Sequence, residues 1–261
     1  MIRVPMKSSG AVNKQTVMTI NNIKVQSPRT SRDIKSINSA RTDVTPGAGS
    51  NNIRTAAVNS VPATPAVNNN GIITQSIPPL NKQIQKGQKV TIDTQPKLTK
   101  IQAKLGWNIT NPNCDVDVSA FLLNNTGKVI GDSWFVFYGQ ESSPDGSTVF
   151  STVQGQDREI ISVDFTKLNP NVSRIVFVLT INEALEKHLN FSMLKDAYIR
   201  IMDASNVELV SFKMEEYYSN VTSMMIGEIY QHNGIWKFNA IGNGVARDLA
   251  GLCDLYGVQV V

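Results

Sequence analysis

Short runs of alternating apolar and polar residues fill the chain from about residue 90 onward. Successive side chains of a strand point to opposite faces, so this alternation predicts half-buried β-strands. One run, Arg174–Ile181, is almost wholly apolar, which is typical of a strand covered on both faces. Turn residues separate the runs. The predicted strands are 89–93, 99–105, 116–123, 134–138, 159–165, 174–181, 197–202, 207–214, 224–231 and 235–241.

Two local signals mark the C-terminal part of the chain. Asn233-Gly234 lies between the last two predicted strands and is a strong hairpin signal. Beyond it, Gly257 stands where a helix would end, after four residues at helical spacing: Leu249, Leu252, Cys253 and Tyr256. The predicted fold class is therefore mostly β: a two-sheet β-sandwich with a few short helices, preceded by a long low-complexity N-terminal arm.

Composition divides the chain into two parts. Residues 1–90 contain twelve basic and two acidic residues, a balance of +10, so the remainder of this +4 chain carries −6. The same residues contain no Phe, Tyr or Trp and cannot bury enough apolar area to offset their ordering entropy. We predict a disordered or extended basic arm at 1–82 and a single β-sandwich domain at 83–261.

The arm raises the question of partners. Its charges are dispersed singly and are not interleaved with aromatic residues, which favours a flexible tether over a specific nucleic-acid arm. Protein partners or self-association are expected, and nucleic acid or another anionic surface stays open as an alternative. Neither a signal peptide nor a run of ~20 apolar residues is visible, so we expect no membrane span. The two cysteines, Cys114 and Cys253, are read as reduced thiols in a cytoplasmic setting.

The segment 113–121 is the strongest candidate for chemistry. Alternation places Asp115, Asp117 and Ser119 on one side of a strand and apolar residues on the other. Carboxylates two residues apart repel unless they are solvated or share a cation, and an all-oxygen set suits Ca²⁺. The alternative is a solvated polar face on a half-buried strand. The spacing is not that of an EF-hand, since the required glycine is absent.

Enzymatic interpretations find little support in the sequence. The only histidines are His188 and His232, and the second lies beside the Asn233-Gly234 turn, where exposure is the more common reason for a polar residue. Nucleophile-elbow, phosphate-loop and zinc-protease motifs are absent from the sequence. Glu183, Glu186 and His188 are read as a solvated helix surface. We therefore predict a non-enzymatic protein.

Several motifs, in fixed order, resemble the tellurium-resistance TerD-like family over residues 83–261. The resemblance implies a β-sandwich that binds calcium and acts in stress resistance, without an established catalytic activity. The motifs are Lys86-Gly-Gln-Lys89, Leu105-Gly-Trp107, the strand from Asp115 to Phe121, Phe135-Val-Phe-Tyr138, Ser143-Pro-Asp-Gly146, the run from Phe177 to Glu183, and the hairpin from Gly227 to Phe238.

The resemblance also implies a ligand set. Asp115, Asp117, Asp132 and Asp157 match family ligand positions and are predicted as the main ligands, with Asp145 and Glu159 as secondary contributors.

The chain departs from the family pattern in ways that weaken calcium binding. The acidic loop is shortened to residues 151–159, and Arg158 stands where an acid is expected. Asn113 replaces an acid, and Gly139-Gln140 replaces an asparagine pair. Fewer carboxylates lower calcium affinity. The predicted function is therefore a calcium-binding stress-response protein whose acidic loops present an interaction surface. The alternative is a structural or interaction module with a degenerate calcium site, docked on a larger assembly or self-associating through its arm.

Overall fold

Two six-stranded sheets and one α-helix form most of the described chain, which comprises residues 66–67, 73–93 and 97–259 of a computed structural model. The helix is α1 (Leu249–Tyr256). The strands are β1 (Ala66–Val67), β2 (Ile73–Thr74), β3 (Gln83–Ile84), β4 (Lys89–Thr91), β5 (Lys100–Ile109), β6 (Val116–Leu123), β7 (Phe135–Val136), β8 (Thr148–Thr152), β9 (Glu159–Asp164), β10 (Arg174–Ile181), β11 (Leu194–Asp203), β12 (Glu208–Lys213), β13 (Ser223–His232) and β14 (Ile235–Val245).

Sheet one has the strand order β3-β12-β11-β5-β9-β8, and sheet two has the order β4-β14-β13-β10-β6-β7. The short β3 runs parallel to β12, and the other pairs within the two sheets are antiparallel. β1 and β2 pair with each other as a separate two-stranded sheet. The predicted two-sheet β fold is confirmed.

The main core lies between the sheets. Alternate residues of β6 and β10, such as Val118 and Phe177, point inward and pack with residues of β5 such as Leu105. The opposite faces of the same two strands carry a second apolar cluster, in which Phe121 and Val178 contact residues of α1. β10 is therefore apolar on both faces because both faces are covered, as its sequence predicts.

The predicted C-terminal helix is confirmed, with its end at Gly257. Asp248 precedes the helix, and its carboxylate accepts a hydrogen bond from the Gly251 N–H. Gly257 follows the helix in the left-handed conformation, with φ 82°, where a glycine has no side chain to clash. These caps hold α1 at the position where it covers the outer face of sheet two.

Two predicted elements differ from the structure. The strand expected at 134–138 shortens to β7, because a tight turn follows in which Phe137 and Gln140 exchange backbone hydrogen bonds. The Gln140 side chain fastens this turn by donating to the carbonyls of Ser133 and Phe135. Residues 182–188 form turns rather than a helical face. β8 was not predicted, because its short polar edge sequence resembles a loop.

The predicted arm lies largely outside the described residues, and its described end contacts the domain. The buried side chain of Asn108 accepts a hydrogen bond from the Gln75 N–H and donates one to the Gln75 carbonyl. The Lys82 N–H donates to the Glu208 carboxylate. The boundary between residues 82 and 83 stays a prediction.

Candidate functional site

The predicted acidic strand continues onto the outer face of sheet two. In the register of β6 and β10, Asp117 lies opposite Thr180 and Ser119 lies opposite Val178. Just beyond both strands, the Asn182 N–H donates to the Asp115 carbonyl at 2.8 Å. Cross-strand neighbours share a face, so side chains of two strands meet here. We call Asp117, Ser119, Thr180 and Asn182 the polar end of sheet two.

The polar end contains buried oxygen atoms that lack hydrogen-bond partners. Within the described part of the chain, no partner reaches Ser119 Oγ, Thr180 Oγ1 or Asn182 Oδ1. Asp117 is also buried, with 8% of its surface exposed. Buried polar atoms are normally paired, so three together call for an explanation. Ca²⁺ takes only oxygen ligands, chiefly carboxylates and carbonyl oxygens such as that of an asparagine amide.

Glu159 approaches the same end of the molecule from sheet one. Its carboxylate crosses to sheet two and accepts the Val118 N–H at 2.7 Å, next to the point where the short β7 ends. Burial, together with the negative charges of Asp115 and Glu159, raises the pKa of Tyr138. The carboxylates of Asp115 and Glu159 therefore both act on the phenol of Tyr138. One oxygen of Glu159 is already hydrogen-bonded to the backbone of β6.

An open cavity of about 660 Å³ adjoins Asp115 and Glu159. Trp107, Cys114 and Arg158 line it as well. The Arg158 Nε–H donates to the Trp107 carbonyl at 2.7 Å, and the guanidinium carbon lies 5.6 Å from the centre of the Trp107 ring. Arg158, which stands where the family pattern has an acid, thus brings a positive charge to the cavity that Asp115 and Glu159 also line.

Asp157 is held elsewhere, against the outer face of sheet one. The Arg200 guanidinium binds its carboxylate with two nitrogens, and the Tyr198 hydroxyl donates to it at 3.0 Å. Tyr198 reaches this loop by lying across Gly106, where an added Cβ would stand 2.4 Å from the phenol oxygen. Two coupled strands therefore turn a predicted ligand into half of an ion pair.

Asp145 and Asp132 accept hydrogen bonds from other parts of the chain. Asp145 accepts hydrogen bonds from Ser143, Ser147 and Asn169. Burial acts to raise the pKa of Asp145, but these hydrogen bonds outweigh it and hold the pKa below its usual range. Asp132 accepts the Gln259 N–H at 2.8 Å. Both carboxylates therefore join separate segments of the chain: Asp145 ties its turn to Asn169, and Asp132 ties its 3₁₀ turn to the segment after α1.

The structure thus brings together part of the predicted ligand set. Asp117 belongs to the polar end, Asp115 adjoins it and Glu159 lies nearby, whereas Asp132, Asp145 and Asp157 have other partners. Among residues 73–93 and 97–259, no group of three or more His, Cys, Asp or Glu side chains has metal-binding geometry. Sequence reasoning missed Thr180 and Asn182. Thr180 and Asn182 are two residues apart, like Asp115 and Asp117, so each pair lies on one face of its strand. Only the pairing of β10 with β6 shows that the two pairs lie side by side.

The helices of the described chain are also too short or too polar to cross a membrane.

Fold and site together define a β-sandwich domain whose candidate chemistry rests on oxygen ligands at one end of a sheet. Residues 80–256 match the TerD domain family. The chain therefore belongs to this family.

Curated relatives carry stress-related names. General stress protein 16U of Bacillus subtilis is 38% identical over 189 residues, which cover 68% of this chain and 97% of that protein. Tellurium resistance protein TerD of Serratia marcescens is 35% identical over 190 residues, covering 69% and 99% of the two chains. A solved homologue of telluride resistance protein from Streptomyces coelicolor is 17% identical, with a TM-score of 0.48, and covers 63% of this chain and 99% of that one.

Proposed function

We propose that this chain is a non-enzymatic, cytoplasmic stress-response protein that binds Ca²⁺ weakly at the polar end of sheet two. Membership of the TerD domain family and the names of the relatives support the stress context. The observation that carries the calcium proposal is the presence, beside Asp115 and Asp117, of three buried oxygen atoms that have no hydrogen-bond partner among the described residues. A hard cation would give these atoms the partners that the protein does not.

In this proposal Asp115 and Asp117 supply the charged ligands. Ser119, Thr180 and Asn182 supply neutral oxygens from two neighbouring strands. The affinity is weak because the site has only two carboxylates, and calcium binds more weakly as the number of charged ligands decreases. Arg158 lowers it further by placing a positive charge in the adjoining cavity. We expect a dissociation constant of about 10⁻⁴ M or weaker.

The calcium proposal is tested on the full chain by calorimetry and by thermal unfolding with and without Ca²⁺. Asp117→Asn should weaken binding at least tenfold, since it removes a charged ligand. Asp203→Asn is the matched control, because Asp203 lies in the β11–β12 turn and bonds only local N–H groups in the described contacts. Binding of Ca²⁺ to the native chain raises its melting temperature by mass action. A chain that shows neither heat nor a shift with Ca²⁺ would sink this proposal.

We propose, as a second candidate, an interaction module with a degenerate calcium site. The observation in its favour is the loop 153–158, where Arg200 occupies the carboxylate of Asp157. A loop held by an ion pair needs no metal to be ordered. Its partner would be another protein or a second copy of the chain, contacted through the basic arm, with nucleic acid or an anionic surface as the alternative.

Light scattering across a salt series distinguishes these partners. Self-association through the arm should weaken as salt rises, because exposed charges are screened beyond about 8 Å at physiological ionic strength. A chain lacking residues 1–65 should stay monomeric throughout. If the full chain is also monomeric at low salt and changes size only with added nucleic acid, self-association is wrong and the partner is external.

A further inference from the structure

Two sulfur atoms meet beside the cavity, although their residues are far apart in the sequence. Cys114 Sγ lies 3.9 Å from Met193 Sδ. Cys114 precedes β6, and Met193 ends a 3₁₀ turn (Phe191–Met193) that leads into β11. Both cysteines of the chain are free thiols. The pair therefore offers a thiol and a thioether to one common neighbour.

Backbone hydrogen bonds hold both residues in place. The Cys114 N–H donates to the Asn111 carbonyl at 3.1 Å, and the Thr110 N–H donates to the Met193 carbonyl at 2.7 Å. The Asn190 side chain caps the 3₁₀ turn by accepting the Ser192 N–H. The Asn111 side-chain amide also donates to Met193 Sδ at 3.4 Å, a hydrogen bond that a bound ion would replace. The loop 110–114 and the 3₁₀ turn preorganise the pair.

The cavity gives Cys114 access to solvent and favours a cation, and the half-buried Met193 lies against Cys114. Cys114 lines the cavity of about 660 Å³ together with Asp115, Arg158 and Glu159. Two carboxylates against one guanidinium give these groups a net charge of −1 at neutral pH, which attracts positive ions. The Trp107 ring also lines this cavity. Sulfur ligands beside a negatively charged cavity favour a soft cation over an oxyanion.

We propose that Cys114 and Met193 bind one soft monovalent cation of the Cu(I) or Ag(I) type, through two sulfur ligands that the calcium proposal does not use. If the metal–sulfur bonds are about as long as zinc–thiolate bonds, about 2.3 Å, sulfurs 3.9 Å apart subtend about 115° at the ion. This angle fits three-coordination and leaves one position for a solvent ligand. On binding, the Cys114 thiol loses its proton to the buffer and the Met193 thioether donates a lone pair, so no electron is transferred.

The proposal differs from simple packing in what it requires of Met193. A leucine fills nearly the same volume and preserves the core contacts, but it has no sulfur. Cys253 is the internal control for thiol chemistry, since it lies on the buried face of α1, in the outer cluster of sheet two. Met225 is the control thioether, because it lies on β13 and packs against that same outer cluster.

The test titrates the full chain with Ag⁺ in a buffer free of chloride and thiols, and measures stoichiometry by native mass spectrometry and affinity by calorimetry. The native chain should bind one Ag⁺ tightly. Cys114→Ser should abolish this site, and Met193→Leu should weaken it at least tenfold. Cys253→Ser and Met225→Leu should leave it unchanged. The methyl resonance of Met193, assigned from its loss in Met193→Leu, should shift on addition of Ag⁺ and report the thioether directly.

The opposite results overturn the proposal. If Met193→Leu binds Ag⁺ as tightly as the native chain and no methionine methyl resonance shifts, the thiol acts alone and no paired site exists. If Cys253→Ser removes the tight site, the ion lies under α1 instead. Far-ultraviolet circular dichroism of each variant confirms that folding is retained. Titration of Asp117→Asn keeps this test separate from the calcium proposal, because its Ag⁺ binding should be unchanged.

Discussion

The outer face of sheet two is apolar at one end and polar at the other, although β6 and β10 supply both halves. Along β6 the same row of alternate side chains runs Asp117, Ser119, Phe121 and Leu123. The apolar half packs under Leu252 and Cys253 of α1, whereas the polar half keeps oxygen atoms without described partners. One row of a strand can thus contribute a core at one end and a ligand set at the other.

The difference teaches how a buried polar site persists. Covering apolar residues stabilises a fold, while an unpaired buried oxygen costs free energy. The polar end is tolerable because the same two strands are anchored by core contacts on their inner faces and by α1 farther along. Three predictions test this contrast, from the largest expected effect to the smallest.

The apolar half should be sensitive to loss of its cover. Leu252 is fully buried, so Leu252→Ala should lower the free energy of unfolding by about 2–5 kcal/mol, from lost burial and the cavity left behind. Urea unfolding measures the change. Leu255→Ala is the matched control on the same helix, because 38% of Leu255 is exposed, and its effect should stay within about 0.5 kcal/mol. Equal losses in both variants would mean that α1 does not cover a core.

Asp145 provides a carboxylate with a full set of partners, against which the polar end can be compared. Asp145→Asn should lower the free energy of unfolding by about 1–2 kcal/mol at pH 7, because charged hydrogen bonds are lost. The folded pKa lies below the unfolded value of about 3.9. The carboxylate therefore stabilises the fold above that value, and this contribution is lost as the pH falls through the folded pKa.

The difference between Asp145→Asn and the native chain should accordingly shrink between pH 7 and pH 3, as measured by urea unfolding at both values. For Asp254→Asn, at an exposed position of α1, the difference in unfolding free energy from the native chain should be the same at both pH values. A difference that is constant with pH would show that the Asp145 carboxylate adds nothing beyond a neutral amide.

The polar end should respond in the opposite direction. Thr180→Val replaces an unpartnered hydroxyl with a methyl group, so the calcium-free chain should become more stable by about 1 kcal/mol. The same variant should lose most of the rise in melting temperature caused by Ca²⁺. Thr152→Val, at an exposed edge position, should change neither the stability of the calcium-free chain nor the rise in melting temperature caused by Ca²⁺. If Thr180→Val destabilises the calcium-free chain, the hydroxyl has a partner in solution and the contrast between the two halves fails.

Local pattern was sufficient for much of this protein. Alternation along single strands predicted β6 and β10 to the residue, the Asn-Gly pair predicted the β13–β14 hairpin, and helical spacing with Gly257 predicted α1. A series of short motifs in a fixed order along the chain also indicated the TerD family. These features depend on neighbours in the chain, so the sequence carries them directly.

Tertiary structure decided which side chains share a site. Asp157 looks like a ligand in sequence, but Arg200, 43 residues away, occupies its carboxylate once β5 and β11 pair and Gly106 lets Tyr198 cross. Likewise, Thr180 joins Asp117 only through strand register. The meeting of Cys114 with Met193, 79 residues away, requires a loop and a 3₁₀ turn to dock. The alternation along a strand determines on which face of the sheet a side chain lies. Strand order and register, which are set by burial of the whole core, determine which side chains are its neighbours.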